Sequence, residues 1–402
     1  MRTMIFATSF VLFCESTSFG QKVGDRIVVT TYGVHLKSDD DVVGTIPQGN
    51  ILTVKEVGGD SFRVTYSEGT PTMTGWINRR DVMPVEESLE FFEDKLRRNP
   101  TASLHNIRGK IWNDKRNNNA ALDDFNESIR LDATQAEPWR NRARAWCKLG
   151  EIDKALADCN EAIRLAPKDG AAYITRGIVR KKRGDCDKAL ADYDEAIRLD
   201  PKNALAFSNR GMSWDDKGEH NRAIADYTEA IRLDSEYATP YLSRGIAWNE
   251  KEDYGKAIAD FDKAIQLAPY WSLIYFNRAS ACFHQGDYDR SITDFAVWLR
   301  SSPQDVDALH VLALILAACP HDKCRDGKRA VALATKACQL GDWSEPEVLD
   351  TLAAAYAEVG DFDNAVKWQQ TALELTSDGN KDRYGRRLNL YKSRKPYRFE
   401  TK

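Results

Sequence analysis

The sequence predicts a mainly α-helical chain: about eight helix-turn-helix units in a row, preceded by a small all-β unit. Two observations carry this expectation. The segment ALADYDEAIRLDP at residues 189–201 returns as AIADYTEAIRLDS at 223 and, loosened, as AIADFDKAIQLAP at 257, a spacing of 34 residues. Self-similarity at such a period marks stacked supersecondary units, none of which shelters its apolar face alone. Ahead of the repeats, RIVVTTY, VVGTI, ILTVKEV, FRVTY and TGWINRRDVMP alternate and are broken by Gly33, Gly49 and the Gly58-Gly59 pair, as short strands and turns are. At 402 residues one ordinary core is excluded, and a repeat array accounts for the length.

Met1–Gly20 reads as an export signal: Arg2, an apolar stretch from Met4 to Phe13 interrupted by Thr8 and Ser9, then small residues ending SFG before Gln21. The alternative is a lipoprotein signal using Cys14, against which the bulk of Phe13 argues. The apolar stretch is about half of the roughly 20 residues that span a bilayer. HVLALILAAC at 310–319 falls inside the repeat frame and reads as a buried helix, so no transmembrane segment is expected. The expectation is an exported protein, periplasmic, held in the cell envelope or secreted. With 57 basic and 61 acidic side chains the net charge is −4, which as a whole-molecule average favours neither nucleic acid nor a membrane surface.

Aligned on the small residue after Arg, the series runs Gly109, Ala143, Gly177, Gly211, Gly245, Ala279 without a slip. Four residues earlier stands an aromatic or His (His105, Trp139, Tyr173, Phe207, Tyr241, Tyr275), and three residues later Trp112, Trp146, Trp214 and Trp248 fill four units. A second stripe, such as Ala155, Cys159 and Ala162 or Ala189, Tyr193 and Ala196, has the three-and-four spacing of one helix face. Pro167, Pro201, Pro269 and Pro303 close four units, and Gly150, Gly184, Gly218 and Gly286 mark the joint between two helices.

This pattern closely resembles the tetratricopeptide repeat over residues 102–305 in six consecutive units, 102–135, 136–169, 170–203, 204–237, 238–271 and 272–305. Looser units follow at 306–345, which holds five extra residues, and 346–379. The resemblance implies an α-solenoid that binds proteins. Residues 85–101 read as a linker and capping helix, and 380–402 as a second cap with a basic tail. Residues 21–84 resemble the bacterial SH3-like barrel through GTIPQGNILTVKEV and the GWI of Gly75–Ile77, though YGVHLK stands where that family has Asn-Val-Arg. Tyr32, Phe62, Tyr66 and Trp76 line a groove or fill the core, and core packing is the expectation for them.

At the seventh position of the strict units stand Arg108, Arg142, Arg176, Arg210, Arg244 and Arg278, where the repeat family usually has Leu. At the twenty-third stand Asp124, Asp158, Asp192, Asp226, Asp260 and Asp294. The looser units lose both, with Leu312 and Leu352 for Arg and Leu333 and Trp368 for Asp. A partly buried Asp without its Arg costs about 3–5 kcal/mol, whereas replacing both by apolar groups is often neutral. Joint gain and loss therefore predicts structural ion pairs, within a unit or across to its neighbour, rather than an arginine ladder offered to an acidic ligand.

In this family the first helices line a groove that receives a peptide. Carried over, the front of that groove is basic, with Arg140, Arg144, Lys148, Lys181 and Lys182, and the middle is acidic, with Asp215, Asp216 and Glu250. Asn141, Asn209 and Asn277 recur at a position where family members bond a ligand's main chain, and Phe276, Phe283 and His284 form an aromatic stretch further on. An amide donates and accepts at once, which suits a ligand of any sequence. The basic end predicts a protein or peptide partner with an acidic segment or a free carboxylate. Peptidoglycan or another glycan on the β unit is the alternative.

CPHDKC at 319–324 lies in the insertion, with Cys338 on the next helix. Cys319, His321, Cys324 and Cys338 lack the paired spacing of a zinc site, and in an exported chain a disulfide from Cys319 to Cys324 or Cys338 is the stronger reading. Cys147, Cys159 and Cys282 read as buried thiols. The six His are scattered and no H-E-x-x-H, G-x-S-x-G or phosphate-loop pattern occurs, so neither enzyme nor cofactor is expected.

Overall fold

A computed structural model describes residues 24–38, 41–66, 73–376 and 378–400. The expected export signal, with Cys14, lies outside the described residues. The chain divides into two compact units, the first ending at Ser235 and the second starting at Glu236.

The first unit opens with a seven-stranded antiparallel sheet. Its strands are β1 (Arg26–Val29), β2 (Val34–Ser38), β3 (Asp41–Ile46), β4 (Ile51–Gly58), β5 (Ser61–Tyr66), β6 (Met73–Asn78) and β7 (Val82–Pro84), in the spatial order β3-β2-β6-β5-β4-β1-β7. Alternation sends Ile27, Leu36, Val54, Phe62, Val64 and Ile77 into one core. Phe62 lies opposite Ile77, and Val64 opposite Gly75. A Cβ on Gly75 would stand 2.5 Å from the Lys37 carbonyl oxygen, so this strand crossing tolerates no side chain there.

Residues 85–101, expected as linker and cap, form helix α1 (Val85–Arg98), which follows β7 directly. Its buried Val85, Phe92 and Leu96 pack with Val28 of β1 and with Leu104, Ile107 and Ile111 of α2 (Ala102–Asp114). Arg26 meets Asp114 at 2.6 Å and Lys110 donates to Asn50 at 3.1 Å, so the sheet is fastened to the first helix pair.

Helix pairs follow: α3 (Asn118–Leu131) completes the first, then α4 (Ala136–Leu149) with α5 (Ile152–Leu165), α6 (Gly170–Lys182) with α7 (Cys186–Leu199), and α8 (Ala204–Asp216) with α9 (His220–Leu233). The second unit holds α10 (Ala238–Glu250) with α11 (Tyr254–Leu267), α12 (Ser272–Gln285) with α13 (Tyr288–Ser301), α14 (Val306–Ala318) with α15 (Gly327–Leu340), and α16 (Pro346–Glu358) with α17 (Phe362–Leu375). Helix α18 (Asp378–Lys392) packs on α17 and buries Tyr384, Leu388 and Tyr391.

The small residue of the repeat frame is where paired helices approach closest. A Cβ on Gly211 would lie 2.7 Å from the ring of Tyr227, and one on Gly177 2.5 Å from Tyr193. Where Ala143 replaces Gly, the facing residue shrinks to Cys159 in the same cluster. Helix starts carry side-chain caps such as Thr101 accepting from the Leu104 amide and Asn203 from that of Ala206.

The turn within each strict pair uses a residue of positive φ, and the six positions are again one period apart: Arg116, Gly150, Gly184, Gly218, Glu252 and Gly286. Four are the glycines read from the sequence; Arg116 (φ 61°) and Glu252 (φ 59°) adopt the same conformation against the preference of a Cβ-bearing residue. Glu252→Gly is therefore expected to stabilise the chain by about 1 kcal/mol, read as a higher denaturation midpoint at unchanged slope.

Candidate functional site

The recurring arginines each grip the Asp of their own pair in a two-pronged bond. Arg142 donates from Nε and Nη2 to both oxygens of Asp158 at 2.7 Å, and Arg210 from Nε to Asp226 at 2.8 Å and from Nη2 at 2.6 Å. Arg108–Asp124, Arg176–Asp192, Arg244–Asp260 and Arg278–Asp294 repeat the arrangement. All six carboxylates are buried. The aromatic of the frame forms the other wall: Trp139 lies under the Arg142 guanidinium at 4.7 Å, and Phe207 under that of Arg210 at 5.4 Å. In the first pair His105 stands there instead, with Nδ1 2.8 Å from Asp124.

A third partner reaches over from the preceding pair. Arg142 Nη1 donates to Asn126 at 2.8 Å, Arg176 to Asn160 at 2.9 Å, Arg210 to Asp194 at 2.7 Å and Arg278 to Asp262 at 2.6 Å. Each of these four guanidiniums thus joins two successive second helices, three in the first unit and one in the second, which makes a seam within each unit. The bond to Asp226 holds Arg210 well above its ordinary pKa against the opposing effect of burial, with Asp194 adding to it.

The residues expected to line a peptide groove separate into two groups. One is tied into the scaffold. Arg140 is buried 3.8 Å from Asp169, and Asn141 is buried with Nδ2 donating to Asn106 at 3.0 Å. Asn209 and Asn277 donate to their own helices, at Leu205 O (2.8 Å) and Leu273 O (2.9 Å). Asp215 accepts from Tyr227 at 2.8 Å and lies 3.1 Å from His220 Nδ1, and burial pushes its carboxyl above the usual range despite those bonds. The other group sits at the exposed ends of α4 and α6. Lys148 Nζ lies 2.7 Å from Asn113 Oδ1, Lys182 Nζ lies 2.5 Å from Cys147 O, and Arg144 is exposed beside them. Burial, followed by the like charge of Arg144, lowers the pKa of Lys148. Lys181 meets Asp216 at 3.2 Å, so one acid of the middle stretch neutralises one base of the front. In the second unit His284 stacks on Tyr254 at 5.2 Å.

Family models describing the tetratricopeptide repeat match residues 136–169, 174–238, 215–271, 272–306 and 346–378. The helical part of the chain is a tetratricopeptide-repeat array. Among solved structures, it is similar to the APC/C hetero-tetramer Cut9-Hcn1 at 19% identity and a TM-score of 0.54, over 67% of this chain and 52% of that one. The chain thus spans about half the length of that structure. TTC0263, a tetratricopeptide-repeat protein of Thermus thermophilus, matches at 20% identity over 46% of this chain and all of its own, with a TM-score of 0.42. YrrB matches at 20% identity over 46% of this chain and 96% of its own, with a TM-score of 0.35. A search of the curated proteins finds no match.

Outside the tetratricopeptide repeats, the aromatic side chains of the β unit divide. Phe62 and Tyr66 are in the core, whereas Tyr32 is 71% exposed and shares with Trp76, His35 and Arg80 a cleft of about 630 Å³. Cys319, Cys324 and Cys338, for which the sequence favours a disulfide over a zinc site, are free, buried thiols. Cys319 and Cys338 belong to different clusters, and Cys324 donates to Asp289 at 3.1 Å. Among the described residues no group of three or more metal-ligating side chains occurs, and no helix is long and apolar enough to cross a membrane.

Sequence reasoning missed the inter-pair partner, because Asn126, Asn160, Asp194 and Asp262 vary in chemistry at one frame position. Their common signal is acceptor capacity. Arg210→Leu alone strands the buried Asp226 and is expected to cost about 3 kcal/mol, while Arg210→Leu with Asp226→Leu costs much less. Urea denaturation of the four members of this cycle measures the coupling, and additive losses would contradict it.

Proposed function

We propose that the chain is a non-enzymatic scaffold of the cell envelope that binds a segment of a partner protein on the first helices of its tetratricopeptide repeats. One observation carries the placement in the first unit. Lys148 and Lys182 are hydrogen-bonded by neutral acceptors that aim the ammonium groups, and Arg144 crowds Lys148 with charge of the same sign, which Asp114 only partly offsets. A carboxylate arriving there relieves that repulsion and gains charge-assisted hydrogen bonds, which supports a partner with an acidic stretch or a free carboxylate. The exported location rests on Met1–Gly20, and residues 21–84 are read as an SH3-like barrel.

A second reading, a glycan or peptidoglycan strand on the β unit, is favoured by the cleft beside Tyr32 and Trp76. Retention of the full chain on insoluble peptidoglycan, lost in Tyr32→Ala with Trp76→Ala, would select it.

For the first reading, a partner captured by crosslinking is expected to bind Arg144→Glu with Lys181→Glu about tenfold or more weakly, and to bind the unaltered chain less well as salt rises. Unchanged affinity in that variant would overturn the placement.

A further inference from the structure

The last residues of the second unit behave as a ligand of their own repeats. Helix α18 is turned back by Arg394, whose φ of 55° is costly for a residue with a Cβ. Its amide donates to Tyr391 O and that of Lys395 to Leu390 O, both at 2.9 Å. The chain then runs without helix or strand across the ends of three successive first helices. Arg398 pairs with Glu358 at the end of α16 at 2.5 Å, and Glu358 is held from its other oxygen by Arg325 at 3.0 Å. Arg398 also donates to Ala317 O at 3.3 Å and the Phe399 amide to Ala318 O at 2.9 Å. These carbonyls belong to the last turn of α14, where a helix supplies no donors of its own.

The side chains are seated as well. The Tyr397 ring lies 3.8 Å from the Arg387 guanidinium. Phe399 stacks on Tyr288 with centroids 5.4 Å apart and meets Phe283 of α12 edge-on at 5.7 Å. Residues 396–399 are half-buried, whereas Lys392–Lys395 before them are exposed. An open cleft of about 500 Å³ remains beside Phe399, lined by His284, Pro320 and His321 among others. The tail thus uses the elements of peptide recognition, a main-chain bond, a paired charge and an aromatic anchor, and leaves room for more.

We propose that Pro396–Glu400 is a resident ligand of this cleft, and that the cleft takes an extended partner peptide carrying an Arg-Phe pair, which must displace the tail. The inference rests on reading the array as a peptide-binding scaffold, but it concerns a different surface from the basic ends of α4 and α6. A tethered segment competes at an effective concentration in the millimolar range, so it masks a weak peptide site by about tenfold or more.

The test uses the full chain and a labelled synthetic peptide of residues 395–400. Arg398→Ala with Phe399→Ala, which alters no helix, is expected to bind the peptide about tenfold or more tightly than the unaltered chain, and adding Phe283→Ala is expected to abolish the gain. Equal binding by the unaltered chain and the tail variant, no binding by the tail variant, or a gain that survives Phe283→Ala would each overturn the proposal. No captured partner is involved, so failure here leaves the reading of the first unit standing, and failure there leaves this result unaffected.

Discussion

The arrangement of the helices depends on one interaction: a guanidinium that satisfies a buried carboxylate in its own pair and an acceptor in the pair before it. Burying an Asp is costly unless its charge is paired and hydrogen-bonded, and a planar donor fork meets both oxygens of Asp158 or Asp226 at once. Lysine offers no such fork. The remaining Nη1 of Arg142, Arg176, Arg210 and Arg278 points along the stack and finds Asn126, Asn160, Asp194 and Asp262. Apolar burial between pairs is in itself non-directional. The forked bond adds direction to it.

Where the seam ends, the packing changes character. In α14 and α16 the arginine position is filled by buried Leu312 and Leu352, and the surroundings are alanine-rich and apolar. A buried pair reappears at a different place, with Asp350 of α16 held by Arg387 of α18 and by Gln369. Burial pushes the Asp350 carboxyl up, and Arg387 opposes that. The closing helix therefore uses the same chemistry as the strict repeats to fasten itself to the last pair. The exposed Glu–Arg pairs one turn apart on the second helices, such as Glu161–Arg164 and Glu195–Arg198, recur in the first four pairs but face water, where such pairs contribute little.

The array was legible because its period is carried by residue types with few substitutes. Gly177 and Gly211 recur since a ring occupies the space of a Cβ, and Arg and Asp recur together since either alone is penalised. The groove was less legible. Asn209 and Asn277 stand where an amide suits a ligand, yet their rotamers turn to the carbonyl four residues back, a choice set by neighbours rather than by residue type. The state of the cysteines in the insertion was not legible either: Cys319 and Cys324 are neighbours in one cluster and remain thiols, and Cys324 also donates to Asp289. The docked tail left no sequence signal, because an extended segment held by a main-chain bond, a charged pair and two rings has no period.

Amide hydrogen exchange of the Arg210→Leu chain tests the seam most directly, since Arg210 is bonded to α7 through Asp194 and to α9 through Asp226. If the guanidinium couples successive pairs, protection falls in α7 and α9 together. Loss confined to α8 and α9, with α7 as protected as in the unaltered chain, would show that each pair is held on its own and contradict the account.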